Sequence, residues 1–218
     1  MRTKLIAIFL ILFSSLQVDN LYCSELILSY FPLKPGMTWT YKVVSDKSET
    51  RTVTVTNLPP REINDTKLTP KKWDIGGISK YYLIGTDDGG VYRYGEQKSE
   101  NSEPIITKPK IYYLKNPVSD GTTWDISTKL GEDNLTVNLT IEGLNDTIKV
   151  PAGDFEDCLR IKHVGSSQRD DASISLEAYE WYAPKVGLVK SLVIIKKLEK
   201  GQTKSSEHQT YQLESFKP

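Results

Sequence analysis

Beyond its first two dozen residues, the chain is organised by alternation of apolar and polar positions. In Leu135-Thr136-Val137-Asn138-Leu139-Thr140-Ile141-Glu142 every odd position is apolar and every even one polar, and Thr52-Val53-Thr54-Val55-Thr56 repeats the pattern. Period two is the mark of a strand with one buried and one wet face. No stretch in this part shows a convincing 3.6-residue period. Turn residues separate the alternating runs. Asp87-Asp88-Gly89-Gly90 reads as a hairpin loop, and Pro151-Ala152-Gly153 ends one strand and begins the next. Ala183-Pro184-Lys185-Val186-Gly187 breaks another strand before Leu188, and Gly201-Gln202 begins a turn toward the last strand. Asn145-Asp146 reads as a further hairpin turn. Counting the runs predicts about ten to twelve strands in a meandering antiparallel sheet.

A repeated phrase divides this pattern in two. Pro32-Leu33-Lys34-Pro35-Gly36-Met37-Thr38-Trp39 returns as Pro117-Val118-Ser119-Asp120-Gly121-Thr122-Thr123-Trp124. Each copy places a turn before a Thr-Trp strand opening, so one entry device is used twice. The expected fold is all-β: a curled antiparallel sheet, half-barrel-like or sandwich-like, with two similar halves at about 30–115 and 116–218 in a single domain over 24–218. Segments 96–110 and 165–171 read as exposed polar loops.

The first 23 residues follow another rule. Arg2 and Lys4 precede the apolar run Leu5–Phe13, which is too short for the ~20 residues of a membrane-spanning helix. The segment 1–23 therefore reads as an export signal, placing the protein in the periplasm or cell envelope. Cys23 stands where a lipoprotein signal would end, although Tyr22 is bulky for that site; lipidation at Cys23, ordinary cleavage nearby and a retained anchor all stay open. Removing Arg2, Lys4 and Asp19 leaves 26 basic and 27 acidic residues. Such a balance argues against a nucleic-acid partner, and membrane association is expected only through the signal or a lipid anchor. Two cysteines cannot staple a fold of this size, so stability must come from an apolar core.

Three phrases carry a resemblance: Tyr30-Phe31-Pro32-Leu33-Lys34-Pro35-Gly36-Met37-Thr38-Trp39-Thr40-Tyr41, Val150-Pro151-Ala152-Gly153-Asp154-Phe155-Glu156-Asp157-Cys158-Leu159-Arg160-Ile161, and Trp181-Tyr182-Ala183-Pro184-Lys185-Val186-Gly187-Leu188-Val189-Lys190. In this order they resemble a broad group of β-rich bacterial exported proteins and lipoproteins of unknown function. The resemblance spans most of 30–195 and implies a curved antiparallel sheet, with a weaker analogy to the half-barrels of periplasmic lipoprotein carriers. It implies no catalytic residues.

The chemistry-bearing residues are few. His163 and His208 are the only histidines, and no HxH, HExxH or CxxC spacing appears, so no catalytic set, metal site or cofactor is expected. Both histidines read as strand surface residues. Cys158, on an extended strand, would share a face with Arg160 and Lys162, whose charges favour a thiolate; against this, His163 falls on the opposite face, and Cys158 reads first as a packing residue. Asp87-Asp88 and Asp170-Asp171 read as turn residues. The aromatics Tyr81, Tyr92, Tyr94, Tyr112, Tyr113, Tyr179 and Trp181 are the candidate ligand-binding set, on strands that could line one concave face. The expectation is a non-enzymatic envelope module that binds an apolar ligand, a lipid or glycan, or an envelope protein. Two rivals are an adhesion module acting through strand edges and, at lower weight, an enzyme using Cys158.

Overall fold

A computed structural model describes residues 25–130, 133–169 and 172–218. The segment read as a signal, Cys23 and Asp170-Asp171 lie outside these residues. A short helix, α1 (25–30), comes first. Strands β1 (Thr38–Ser45), β2 (Arg51–Asn57), β3 (Arg61–Ile63), β4 (Thr66–Ile75), β5 (Ile78–Asp87), β6 (Gly90–Gln97) and β7 (Ile105–Lys115) make the first half. The second half comprises β8 (Thr123–Leu130), β9 (Asp133–Val150), β10 (Gly153–Arg169), β11 (Ala172–Ala183), β12 (Gly187–Glu199) and β13 (Gln202–Lys217).

All pairings are antiparallel, and neighbours along the sheet follow in sequence except at β2–β4, where β3 is skipped, and at one long-range pair. The order runs β7-β6-β5-β4-β2-β1-β13-β12-β11-β10-β9-β8, with β3 attached to β4. The long-range pair is β1 against β13, from Thr38↔Lys217 to Ser45↔Gln209. That ladder joins the first and last described strands and curls the sheet into a nearly closed barrel. The seam lies between β7 and β8, consecutive strands that share no ladder. The Trp124 side chain reaches across it, its Nε1 donating to the Tyr112 carbonyl at 3.1 Å.

The alternation resolves into an inside and an outside. Leu135, Val137, Leu139 and Ile141 on β9 are buried, as are Val53 and Val55 on β2. They belong to two apolar clusters, one centred on β8–β10 and the other on β1, β2 and β13. Each such aliphatic side chain contributes ~1.5–3 kcal/mol on burial.

The repeated phrase is one device built twice. Gly36 N–H donates to the Asn57 carbonyl (2.8 Å), and Asn57 N–H donates back to Met37 (3.0 Å). In the second copy Gly121 N–H donates to Ile141 and Ile141 N–H to Thr122, both at 2.9 Å. Both glycines sit at positive φ, +86° and +80°, where a Cβ is disfavoured. The two tryptophans are buried and each donates Nε1–H to a distant carbonyl, Trp39 to Val186 at 2.6 Å and Trp124 to Tyr112.

Several boundaries differ from expectation. Asn145-Asp146 makes no turn, because β9 runs unbroken to Val150. Extra residues opposite it are absorbed as register shifts around Cys158, and the Asp146 carboxylate is taken by Arg160 (2.8 Å) and Trp181 Nε1 (2.9 Å). Residues 165–169 are strand rather than loop, since β10 is paired on both sides, Gly165 with Val137 and Leu176. Paired backbone on two flanks outweighs polar composition. The loop within 96–110 is shorter than read, since β6 reaches Gln97 and β7 starts at Ile105. The last turn is centred on Lys200-Gly201, one residue earlier than read, with φ of +49° and +75°. Counting β3, the described residues hold thirteen strands.

Candidate functional site

The barrel interior is not fully packed. A cavity of about 120 Å³ is lined by Phe31 and Pro32 just after α1, by Trp39 and Tyr41 of β1, Val55 of β2, Lys71 and Trp73 of β4, Ile84 of β5, Tyr113 of β7, Glu180 and Tyr182 of β11, and Gly187 and Leu188 of β12. Alternation explains who faces it. Lys71, Trp73 and Ile75 are spaced by two on β4 and pair with Asn57, Val55 and Val53 of β2. Glu180 and Tyr182 share the inward face of β11 with the buried Ala178. The walls therefore come from both halves.

The chain after α1 lies over this space. Ile27, Tyr30 and Phe31 are buried. Phe31 stacks on Tyr113 (centroids 5.5 Å apart) and leans on Tyr182 at 6.2 Å. Lys185 N–H donates to the Ser29 carbonyl at 2.7 Å, and Tyr30 Oη donates to the Asp157 carbonyl at 3.2 Å. At Gly187 a Cβ would stand 3.3 Å from Pro32, so the close approach depends on that glycine.

Polar groups in this apolar space are few and specific. The Lys71 ammonium sits 4.4 Å from the Trp39 ring and 4.5 Å from the Phe31 ring. Among the described residues it has no carboxylate at ion-pair distance. The residue as a whole is half-buried, and burial around its charged end pushes its pKa down to about 7. Glu180 is better provided for. Its Oε2 accepts from Tyr182 Oη at 2.6 Å and lies 3.4 Å from His163 Nε2. Burial raises the Glu180 pKa, but the charge of His163 and these contacts bring it below the ordinary carboxylate value. Tyr41 donates to the Leu188 carbonyl at 2.9 Å, and burial drives its phenol far up. Tyr113 is raised by burial too, with Arg93 nearby acting the other way.

The aromatic set read from the sequence is dispersed. Tyr113 lines the cavity. Its neighbour Tyr112 donates to Asp87, which also holds Lys110 at 2.6 Å, and meets the buried Tyr92 edge-on at 5.7 Å. Tyr94 Oη accepts from Asn64 at 3.1 Å, and Tyr81 borders a shallow surface hollow with Ile78 and Ile105. Tyr179 and Trp181 stack at 6.1 Å on the opposite face of β11 from Glu180, with Lys162 and Lys190 over their rings. Beside them an open hollow of mixed lining is edged by Lys162, Glu177 and Lys196. Adjacent residues of a strand point to opposite faces, so pairs such as Tyr112-Tyr113 cannot serve one surface. Phe31, Trp39, Tyr41, Trp73, Tyr182, Lys71 and Glu180 were missed. The one local signal for Lys71 is its two-residue spacing from Trp73 and Ile75.

The surroundings of the remaining candidates decide what each one does. Cys158 is fully buried in the cluster of Trp39, Val53 and Leu213, not on a face with Arg160 and Lys162. Burial, then Asp146 and Asp157, pushes its thiol up to about 11, so a thiolate is disfavoured. His163 is no surface residue, its side chain being 16% exposed beside Glu180; His208 is exposed as expected. Asp87 accepts from Gly89 N–H in its turn. Among the described residues no group of three or more His, Cys, Asp and Glu converges as a metal site, and no helix is long and apolar enough to cross a membrane.

Residues 131–204 match the model of the DUF3108-like family, well short of half the chain. Two solved structures align with it. One is a presumed lipoprotein from Parabacteroides distasonis, 16% identical, covering 86% of this chain and 98% of that one with a TM-score of 0.43. The other is a presumed exported protein with a YmcC-like fold from Bacteroides fragilis, 14% identical over the same shares, with a TM-score of 0.45. No curated protein matches the chain.

Proposed function

We propose that this is an exported envelope protein without catalytic activity, whose barrel interior binds a compact apolar guest. The observation that carries the reading is the aromatic cavity between β1, β4, β7 and β11. Its walls are Trp, Tyr, Phe and aliphatic side chains with few polar groups, the make-up of a small-molecule site. At ~10–15 Å³ for each water-sized position, the space suits a guest of on the order of ten non-hydrogen atoms. A long acyl chain or an oligosaccharide does not fit inside. The buried, unactivated thiol of Cys158 and the engagement of His163 with Glu180 support the non-enzymatic reading.

Trp39 and Trp73 line the space, so their fluorescence reports on it. Titration of the full-length exported protein with benzyl alcohol is expected to give a saturable change that weakens when Ile84→Trp fills the cavity. A strictly linear response, equal in the variant, would overturn the binding reading. The envelope location rests on the charged and apolar pattern of residues 1–23. Fractionation of cells carrying the native chain or Cys23→Ser tests it. Release of the variant from membranes into the periplasm marks a lipid anchor; a cytoplasmic location for both rejects export.

A second reading is favoured by the seam. β7 and β8 end the sheet path unpaired, and Ile105 and Ile106 on β7 are 54% and 42% exposed. An envelope protein adding a strand there would use these free edges. Crosslinking from Ile106→Cys to a partner in intact cells is the expected sign, and a protein crosslinked only to solvent-facing reagents rejects it.

A further inference from the structure

We propose that the interior cavity selects a compact apolar anion, such as a small aromatic or branched carboxylate, with Lys71 as the group that receives its charged end. This rests on the cavity being a binding site and names the chemical class of its guest.

Three observations converge on the charge. The Lys71 ammonium is turned inward on β4, against the rings of Phe31 and Trp39, and among the described residues it has no counter-ion. A cation in apolar surroundings without a partner is costly, and two ring faces compensate it only in part. The one carboxylate in the lining, Glu180, accepts from Tyr182 and has His163 Nε2 at 3.4 Å, so its neighbours lie on its own side rather than at Lys71. Arg93 of β6 adds a second inward cation. It stands 5.6 Å from the Tyr82 ring and beside Tyr113, and its Nε is buried without a hydrogen-bond partner.

The rest of the space is suited to the apolar part of such a guest. Trp73, Ile84, Tyr113 and Leu188 offer no charge, and the Tyr41 and Tyr182 hydroxyls are spent on Leu188 and Glu180. A carboxylate at Lys71 would accept a charge-assisted hydrogen bond in a site with little water, and its ring or branched carbon body would fill the remainder. The lowered pKa of Lys71 is the mark of the missing partner, and an anion would restore it. The titratable and charged groups facing this point are Tyr41 from β1, Tyr82 from β5 opposite Lys71, Tyr113 from β7 with Arg93 of β6 beside it, and Glu180 and Tyr182 from β11, with His163 of β10 behind Glu180. Burial raises Tyr41, Tyr113 and Tyr182 and keeps them protonated near neutral pH.

Benzoate and benzyl alcohol, nearly equal in shape, separate the two levels of the argument when titrated calorimetrically into the full-length protein and its Lys71→Met variant at pH 6.5. The native protein is expected to prefer benzoate by about ten-fold or more, the scale of one charge-assisted hydrogen bond. The variant is expected to lose that preference while keeping benzyl alcohol binding. Equal binding of both probes by the native protein, or a preference that survives Lys71→Met, overturns the anion assignment and leaves a neutral-guest cavity. Binding of neither probe overturns both. If the variant does not fold, proton uptake by the native protein at pH 8 decides. About one proton taken up with benzoate and none with benzyl alcohol is expected; none with either rejects Lys71 as the receiving group.

Discussion

At the residue scale, Lys71 and Cys158 show how surroundings reset ordinary side chains. A cation whose folded pKa lies below its unfolded value binds fewer protons folded than unfolded, so its contribution to stability rises with pH between the two values. For Lys71 that window runs from about 7 toward the ordinary 10.5. Lys71→Met removes the titration. Its stability relative to the native chain should therefore fall as pH rises from 7 to 9, by up to about 1.4 kcal/mol per pH unit. Urea unfolding of both proteins across that range measures it, and a constant difference would show that the ammonium is not desolvated. The Cys158 contribution has the opposite sign. Its raised thiol adds stability below its unfolded value of 9.0, lost as pH climbs through about 11, and the comparison cancels it. A thiol two units above its ordinary value is expected to label on the order of a hundredfold more slowly at pH 8 than in denaturant. Fast labelling of the folded protein would revive the thiol-enzyme reading. Neither shift was legible in the sequence, because each depends on neighbours distant along the chain: Phe31 and Trp39 for Lys71, Trp39 and Leu213 for Cys158.

Elements were legible where the local pattern and the pairing agree. The alternation on β9, the turns at Asp87–Gly90 and Pro151-Ala152, and the break at Ala183–Gly187 all stand where the sequence puts them. Misreadings arose where side-chain polarity and backbone pairing pull apart, as at Asn145-Asp146 and 165–169. There a two-sided ladder holds polar residues in strand, and a register shift absorbs what would otherwise be a turn. The two entry devices make a sharp test at this scale. Gly36→Ala and Gly121→Ala each force a left-handed alanine with open space around it, at a cost of about 1–2 kcal/mol. Denaturant midpoints should fall by similar amounts in the two variants. A loss at one site alone would mean that the copies are not mechanically equivalent.

Over the whole molecule, the β1–β13 ladder joins the strands on either side of the repeat into one sheet. The strands nearest in sequence across the repeat, β7 and β8, are the pair left without a ladder, while the first and last strands are joined. Because the cavity walls come from both halves, neither half carries a site alone. Unfolding is expected to be a single transition, with tryptophan fluorescence and far-ultraviolet dichroism coincident, and removal of β13 should abolish it for both halves. Two separated transitions would show that the halves are independent domains. What the sequence by itself determined is the all-β class, the entry turn used twice, several of the turns and the inward-facing core of the regular strands. These follow from period-two burial and turn chemistry, which are local. The closure at β1–β13, the seam at β7–β8, the splitting of the tyrosines between faces and the gathering of Lys71, Glu180 and their aromatic walls were decided only by the tertiary structure. Each depends on strand register and sheet curvature, which bring together residues whose separation along the chain carries no trace of their contact.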